Sequence, residues 1–253
     1  PIFSRRFAYI DQTPLASASI AQVHCATLRT GEQVVIKVQK PQIDESLKAD
    51  LSFIYVASRV LEFLQPDWER TSLSAIAGDI RSSMLEELNF LKEATNIEEF
   101  RVFLQENGLT KETALTLFIP NTYEFYWNTS AKKIADKMAK EHKKFWTNER
   151  LEKAKALNMT PAQVYTLASI VHKETVKADE RPRVAGAYLN RINQDMPLQA
   201  DPTVIYAIKE TSGDFDQVIK RVGGSNLFVK SPYNTYINKG LPPGPIAMPD
   251  VSA

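Results

Sequence analysis

Cysteine is nearly absent: the 253 residues hold one, Cys25, which excludes an internal disulfide framework and a multi-cysteine zinc site. Long apolar runs are missing too. The best candidate for the ~18 residues a membrane-spanning helix needs, Leu51 to Leu64, is broken by Ser52, Ser58, Arg59 and Glu62. The chain opens on Pro1-Ile2-Phe3-Ser4-Arg5-Arg6 without the apolar core of a signal peptide, so the expectation is that nothing here directs export. Excess charge is lacking: the formal net charge of +1 excludes a strongly electrostatic nucleic-acid binder. Neither an internal repeat nor a low-complexity tract is present. What remains is an ordinary globular composition, 43% hydrophobic and 24% charged, at a length that suits one large or two small domains.

The balanced charge conceals an asymmetry. Residues 1–106 carry 11 Lys+Arg against 15 Asp+Glu, a net of −4, whereas residues 107–253 carry 20 against 15, a net of +5. The change near Asn107-Gly108 sets the expected boundary between a first domain, 1–106, and a second, 107–253.

The first part reads as strands followed by helices. The β-branched stretches 20–28 and 33–39 flank the Gly-containing turn Arg29-Thr30-Gly31-Glu32, a hairpin signal, and Pro41 ends the second strand. Leu47, Leu51, Ile54, Ala57 and Leu61 recur at three and four, which predicts an amphipathic helix from Asp44 to about Leu64, stopped by Pro66. A further helical stretch covers about Leu73 to Leu104, with a bend expected because neither Gly nor Pro marks a full break after Gly78. The second part opens on the aromatic-rich extended stretch 118–127, followed by one basic helix from about Ser130 to Ala156. Thr160-Pro161-Ala162-Gln163 is a helix start with Thr as N-cap, Pro at the first position and Gln closing a capping box. That helix should reach about Thr175. Others are expected over 178–193 and, capped by Asp201-Pro202, through Ile208. From Ser231 onward, Pro232, Pro242, Pro243, Gly244, Pro245 and Pro249 leave a loop. The fold class is α+β: a small β-hairpin lobe with long helices, then a mainly helical catalytic domain with irregular Pro-rich loops.

At 100° per residue, Val164, Leu167, Ala168 and Val171 form one stripe of the capped helix, with Glu174 within about 60° of its centre. Lys173 points away and His172 lies off the flank. Burial beside that stripe would raise the Glu174 pKa, as a general acid near neutral pH requires. The same geometry equally describes a helix-end Glu at the core rim, paired with a nearby Lys or Arg.

The stretch Leu167-Ala168-Ser169-Ile170-Val171-His172-Lys173-Glu174-Thr175 resembles the signature of MltG/YceG-type endolytic murein transglycosylases. The resemblance continues through Phe118-Ile119-Pro120-Asn121-Thr122-Tyr123, 184–191, Met196-Pro197-Leu198-Gln199-Ala200-Asp201-Pro202-Thr203, Ser231-Pro232-Tyr233-Asn234-Thr235-Tyr236 and Lys239-Gly240-Leu241-Pro242-Pro243-Gly244, in family order over about 107–253. It implies that Glu174 protonates the glycosidic oxygen between N-acetylmuramic acid and N-acetylglucosamine units of peptidoglycan glycan strands. Glu174 then deprotonates the muramoyl primary hydroxyl, closing a 1,6-anhydro ring. A two-carboxylate hydrolase needs a second acid across the bond; a transglycosylase does not. Where many members carry a second Glu this chain has His172, which the resemblance makes a tolerated surface variant. Asn190, Gln199, Asp201, Ser231 and Asn234 would hydrogen-bond the sugars, and Tyr206, Tyr233 and Tyr236 would stack on them. Each has a structural alternative: Asp201 as an N-cap, the tyrosines as half-buried core. No metal or cofactor is implied. The expectation from the resemblance is that the family's N-terminal membrane anchor, most of its LysM-like subdomain and a block beyond Ala253 are not part of this sequence.

Residues from about Phe7 to Phe103 resemble a different family, the UbiB-type atypical kinases. The resemblance rests on Pro14-Leu15-Ala16-Ser17-Ala18-Ser19-Ile20-Ala21-Gln22, on Val34-Val35-Ile36-Lys37-Val38, and on Glu87-Leu88-Asn89-Phe90 with Glu93-Ala94. It makes Ala18 and Ser19 part of the Ala-rich nucleotide loop, Lys37 the phosphate-facing lysine, and Glu87 the first residue of a Glu-x-Asp motif whose Asp is Asn89 here. A catalytic loop and a metal-binding Asp-Phe-Gly are missing; Gly213-Asp214-Phe215-Asp216 lies in the other part with no preceding strand. Phosphoryl transfer needs the base and metal ligands as well as the lysine. The resemblance therefore implies at most weak ATP binding, and a non-catalytic nucleotide- or partner-binding protein is the alternative to the transglycosylase. A His24–Cys25 metal site is disfavoured because adjacent strand residues face opposite ways. Together the two resemblances describe a chimera.

Overall fold

A computed structural model describes residues 5–65, 72–126 and 129–252. The predicted stop at Pro66, the Trp127 end of the aromatic stretch and Ala253 lie outside the described residues. The chain forms two compact units, residues 1–99 and 100–253.

The first unit holds one antiparallel sheet. Strands β1 (Phe7–Ile10) and β2 (Ala16–Ser17) pair along one edge of β3 (Ala21–Leu28), and β4 (Gln33–Gln39) pairs along the other. The β3–β4 hairpin keeps an unbroken register from Ala21 opposite Gln39 to Thr27 opposite Gln33. Gly31, at φ +88°, makes the turn. Helix α1 (Ile43–Leu64) follows the predicted span, with Asp44 and Glu45 in its first turn. The second stretch is two helices, α2 (Leu73–Glu87) and α3 (Phe90–Glu106). The expected bend is a full break at Leu88-Asn89, where the Asn89 side chain accepts from the Lys92 amide and so starts a new helix.

The second unit is mostly helical. A 3₁₀ turn (Ala114–Leu117) precedes the irregular aromatic stretch. The single predicted basic helix is likewise two, α4 (Ala131–Phe145) and α5 (Asn148–Ala156). Each has its own cap, since Ser130 accepts from Lys133 N and Thr147 from Arg150 N. Next come α6 (Pro161–Glu174), α7 (Arg181–Asn193) and α8 (Asp201–Ser212). The capping box at Thr160 and Gln163 forms in full. Helix α8 runs four residues beyond the predicted end, to the left-handed Gly213, and its cap is Ala200 rather than Asp201.

Helix α6 is the centre of this unit, packed against α5, α7, α8 and the 3₁₀ turn. Its buried residues, Tyr165, Thr166, Leu167, Ser169, Ile170 and Val171, go nearly round the helix, wider than the stripe the spacing defines. Polar members survive burial by bonding backbone: Thr166 Oγ1 donates to Ala162 O, Ser169 Oγ to Thr166 O, and Tyr165 OH to Phe118 O. Met159, Leu167, Ile170, Val171, Tyr188, Leu198 and Ala200 form one core cluster. Ile170 and Leu198, fully buried, each contribute about 1.5–3 kcal/mol. The Pro-rich segment is stitched to this core: Ile246 N donates to Ser169 Oγ. Gly244 approaches the Glu112 carbonyl so closely that a Cβ would sit 2.0 Å from that oxygen.

Candidate active site

Helices α6 and α7 meet through Tyr188. Its position follows from the apolar row Val184, Ala185, Tyr188, Leu189 and Ile192, which packs on the α6 core and buries the phenol ring. The hydroxyl emerges at the end of α6 and donates to Glu174 Oε2 at 3.0 Å. Burial foremost, with the Glu174 charge and that bond, pushes the Tyr188 hydroxyl well above the ordinary phenol range.

Glu174 itself is exposed. The expected burial of its carboxylate is therefore overturned: α6 ends there, and the last turn emerges from the core that encloses residues 165–171. Geometry assigns the alternative role no support either, since the partner of Glu174 is a buried tyrosine and not one of the nearby cations.

Two loops complete the surroundings. Gln199 N donates to Thr235 O, Ala200 N to Thr235 Oγ1, and the Thr203 and Thr235 hydroxyls lie 2.7 Å apart. This lock aligns the start of α8 with the Pro-rich segment and lets Tyr236 OH donate to Asp201 Oδ1 at 2.6 Å. That bond, with burial and the charges of Asp201 and Glu174, holds the Tyr236 hydroxyl up at about 12. Arg191 counters both Tyr188 and Tyr236 electrostatically and donates to the Leu198 carbonyl and to Gln199 Oε1. Gln199 holds a left-handed backbone, φ 53°, uncommon for a residue with a side chain. Glu174, Tyr188, Asp201, Tyr236, Arg191 and Gln199 thus form one polar neighbourhood.

The other expected sugar-binding residues fall outside it. Asn234 is fully buried, donating to the Leu227 and Val229 carbonyls and accepting from Tyr236 N. Ser231 is buried, its hydroxyl donating to Glu210 Oε2 and accepting from Tyr233 N. Tyr233 is buried with its ring 4.6 Å from Tyr206, which also packs edge-on against Phe215. Asn234, Ser231 and Tyr233 thus lie buried within the Pro-rich loop, and Tyr206, half-buried on α8, packs against it. Asn190 is exposed but lies about 200° round α7 from Tyr188, on the opposite face.

His172 is not a surface variant. It is half-buried, with Nδ1 3.4 Å from Asp250 Oδ2 and 3.5 Å from an Arg181 nitrogen. The buried Arg181 donates to Asp250 and to Ser252 Oγ, tying residues 250–252 to the end of α6. Tyr188 and Arg181 were missed in the sequence. The helical spacing that places Tyr188 opposite α6 was a signal for the first; nothing local marks the second.

In the first unit, Lys37 on β4 pairs with Glu93 at 2.7 Å, its ammonium 4.7 Å over the Phe90 ring. Glu93 rather than Glu87 is thus the carboxylate on Lys37; Glu87 is exposed at the end of α2. Ala18 and Ser19 are exposed in the tight turn between β2 and β3, closed by Ala18 N donating to Ala21 O. His24 Nδ1 bonds the Asp11 carbonyl, 2.9 Å away.

A sequence model of the YceG-like family matches residues 21–253. The chain belongs to the YceG-like family. The family has a transglycosylase-like role. The match begins in β3, far ahead of residue 107. A crystallised yceG-like protein, lmo1499 from Listeria monocytogenes, is 30% identical, with a TM-score of 0.49 over 60% of this chain and 51% of that one. Part of the chain is similar to protein kinases. An aarF domain-containing protein kinase of the Arabidopsis thaliana chloroplast is 55% identical over 120 residues, 47% of this chain and 22% of the relative. A UbiB protein kinase of Azotobacter vinelandii is 34% identical over 128 residues, 51% of this chain and 22% of the relative. The chain spans about a fifth of the length of these curated relatives.

Proposed function

We propose that this YceG-like chain is an endolytic lytic transglycosylase that cleaves the bond between N-acetylmuramic acid and N-acetylglucosamine in peptidoglycan glycan strands. The observation that carries the reading is the exposed Glu174 carboxylate, held at Oε2 by the Tyr188 hydroxyl at 3.0 Å beside the Asp201–Tyr236 pair.

The Tyr188 bond fixes one carboxyl oxygen and leaves Oε1 to carry the proton. Protonated Glu174 gives that proton to the glycosidic oxygen as the muramoyl C1–O bond breaks. The carboxylate so formed takes the proton of the muramoyl C6 hydroxyl while the C6 oxygen bonds to C1, closing the 1,6-anhydro ring and restoring the acid. No water enters, so a second carboxylate to activate one is not needed. Asp201, Tyr236, Arg191 and Gln199 are the polar groups available to orient hydroxyl and N-acetyl substituents.

The test is digestion of purified peptidoglycan. Glu174→Gln keeps shape and loses the proton, and activity should fall by about 10²–10⁴-fold. Unchanged activity in that variant rejects the assignment.

A second reading concerns the first unit: the Lys37–Glu93 pair and the kinase similarity support a non-catalytic nucleotide- or partner-binding role. Thermal-shift titration with ATP–Mg tests it; stabilisation lost in Lys37→Ala favours it, and no shift removes it.

A further inference from the structure

The positive excess of the second unit is concentrated in one place. Residues 131–156 hold 9 Lys+Arg against 4 Asp+Glu, a net of +5, equal to the whole net charge of residues 107–253. Most of it lies on α4. That helix turns Ile134, Met138 and Ala139 into a core with Leu104, Leu109 and Leu117. At 100° per residue its opposite face gathers Lys132, Lys133, Lys140, Lys143 and Lys144 within an arc of about 120°. Lys144 pairs there with Glu141 at 2.7 Å, a carboxylate that Lys137 and Lys140 also act on electrostatically. Lys132, Lys133, Lys140 and Lys143 are exposed and have no salt-bridge partner among the described residues. The counter-charges on this side are Asp136, on the same face, and Glu106 across an open groove of about 690 Å³ that Phe103, Lys140, Lys143 and Lys144 also line.

Exposed aromatic surface flanks the ridge. Lys137 Nζ lies 4.9 Å over the Phe125 ring and donates to the Glu124 carbonyl, which seats residues 124–126 against α4. Tyr126, next in the chain, is 84% exposed. An unpaired lysine row beside an amphipathic ring fits the boundary between water and an anionic bilayer, where charge attracts and Tyr settles at the headgroups. Helix α4 has six lysines and no arginine, so it lacks the planar forks that favour bidentate phosphate recognition in nucleic acid.

We infer that the lysine face of α4, with Phe125 and Tyr126, is a docking surface for an anionic phospholipid bilayer. This does not depend on the proposed cleavage, because none of its residues belongs to the Glu174 neighbourhood.

The experiment is sedimentation of the full chain with vesicles of phosphatidylcholine alone or with about a third phosphatidylglycerol, at low and high salt. Binding should be at least about 10-fold stronger to the anionic vesicles and weaken as salt rises. Lys140→Glu combined with Lys143→Glu should lower it by a further ~10-fold or more with the far-ultraviolet spectrum unchanged. Should that variant misfold, Lys140→Gln with Lys143→Gln should still show a smaller loss. Equal binding to uncharged vesicles, binding to neither, or variants that bind like the parent would overturn the inference. So would displacement from the anionic vesicles by a trace of single-stranded DNA, which would assign the ridge to nucleic acid.

Discussion

At the scale of single residues, the proposed site is an exposed carboxylate with one oxygen bonded by a buried phenol. Tyr188→Phe takes away only the donor to Glu174 Oε2, and cleavage should drop by about 10–100-fold through lost positioning, with the melting temperature little changed. Equal loss of activity and fold would instead make Tyr188 a packing residue. Tyr236 offers a pH prediction. Its hydroxyl is held up to about 12, first by the bond to Asp201, against an ordinary value of 10.0. The fold favours the protonated phenol, so the contribution is complete below pH 10 and is lost as pH rises through about 12. Denaturation midpoints measured over that interval should fall more steeply for the parent than for Tyr236→Phe. The helix that ends at Glu174 was legible in the sequence and the surroundings of that residue were not. A helical projection shows which way a side chain leaves its own helix, but only the neighbouring elements determine whether anything covers it.

At the scale of elements, local chemistry was readable wherever a strong side-chain signal existed. The capping box at Thr160–Gln163 formed as the residues dictate, and Thr160→Ala should cost about 1 kcal/mol, read as a lower denaturant midpoint at unchanged slope. The breaks at Leu88-Asn89, expected only as a bend of no stated place, and at Trp146-Thr147, not anticipated, are made by Asn89 and Thr147 caps without any Gly or Pro, so periodicity runs across them. The Pro-rich segment shows the converse. Its sequence declares a loop but not what the loop does: Asn234 spends its amide on the Leu227 and Val229 carbonyls, Ser231 its hydroxyl on Glu210, and Thr235 its hydroxyl on Thr203 and the Ala200 amide, which no spacing rule encodes. Gly244 belongs to this scale. Gly244→Ala drives a methyl group into the Glu112 carbonyl and should destabilise by about 1–3 kcal/mol, whereas Gly240, with open space around it, is constrained only by its positive φ.

At the scale of the whole molecule, the two resemblances separate the chain into parts of different character. The compact units divide at residues 99 and 100, slightly ahead of the charge change, because α3 continues through that point to Glu106 before Gly108 turns the chain. The family match runs from residue 21 to 253 and so spans that division, while the kinase relatives cover 47% and 51% of the chain. The first unit supplies Lys37, paired with Glu93 at 2.7 Å.

The account rests on ring closure without water at a single carboxylate, and one measurement reaches that directly: the mass of the new sugar terminus after peptidoglycan is digested in water enriched in heavy oxygen. The predicted terminus is one water lighter than a hydrolysed end, carries no heavy oxygen, and disappears with Glu174→Gln. A terminus that incorporates the heavy label, or one formed as readily by the variant, would contradict it.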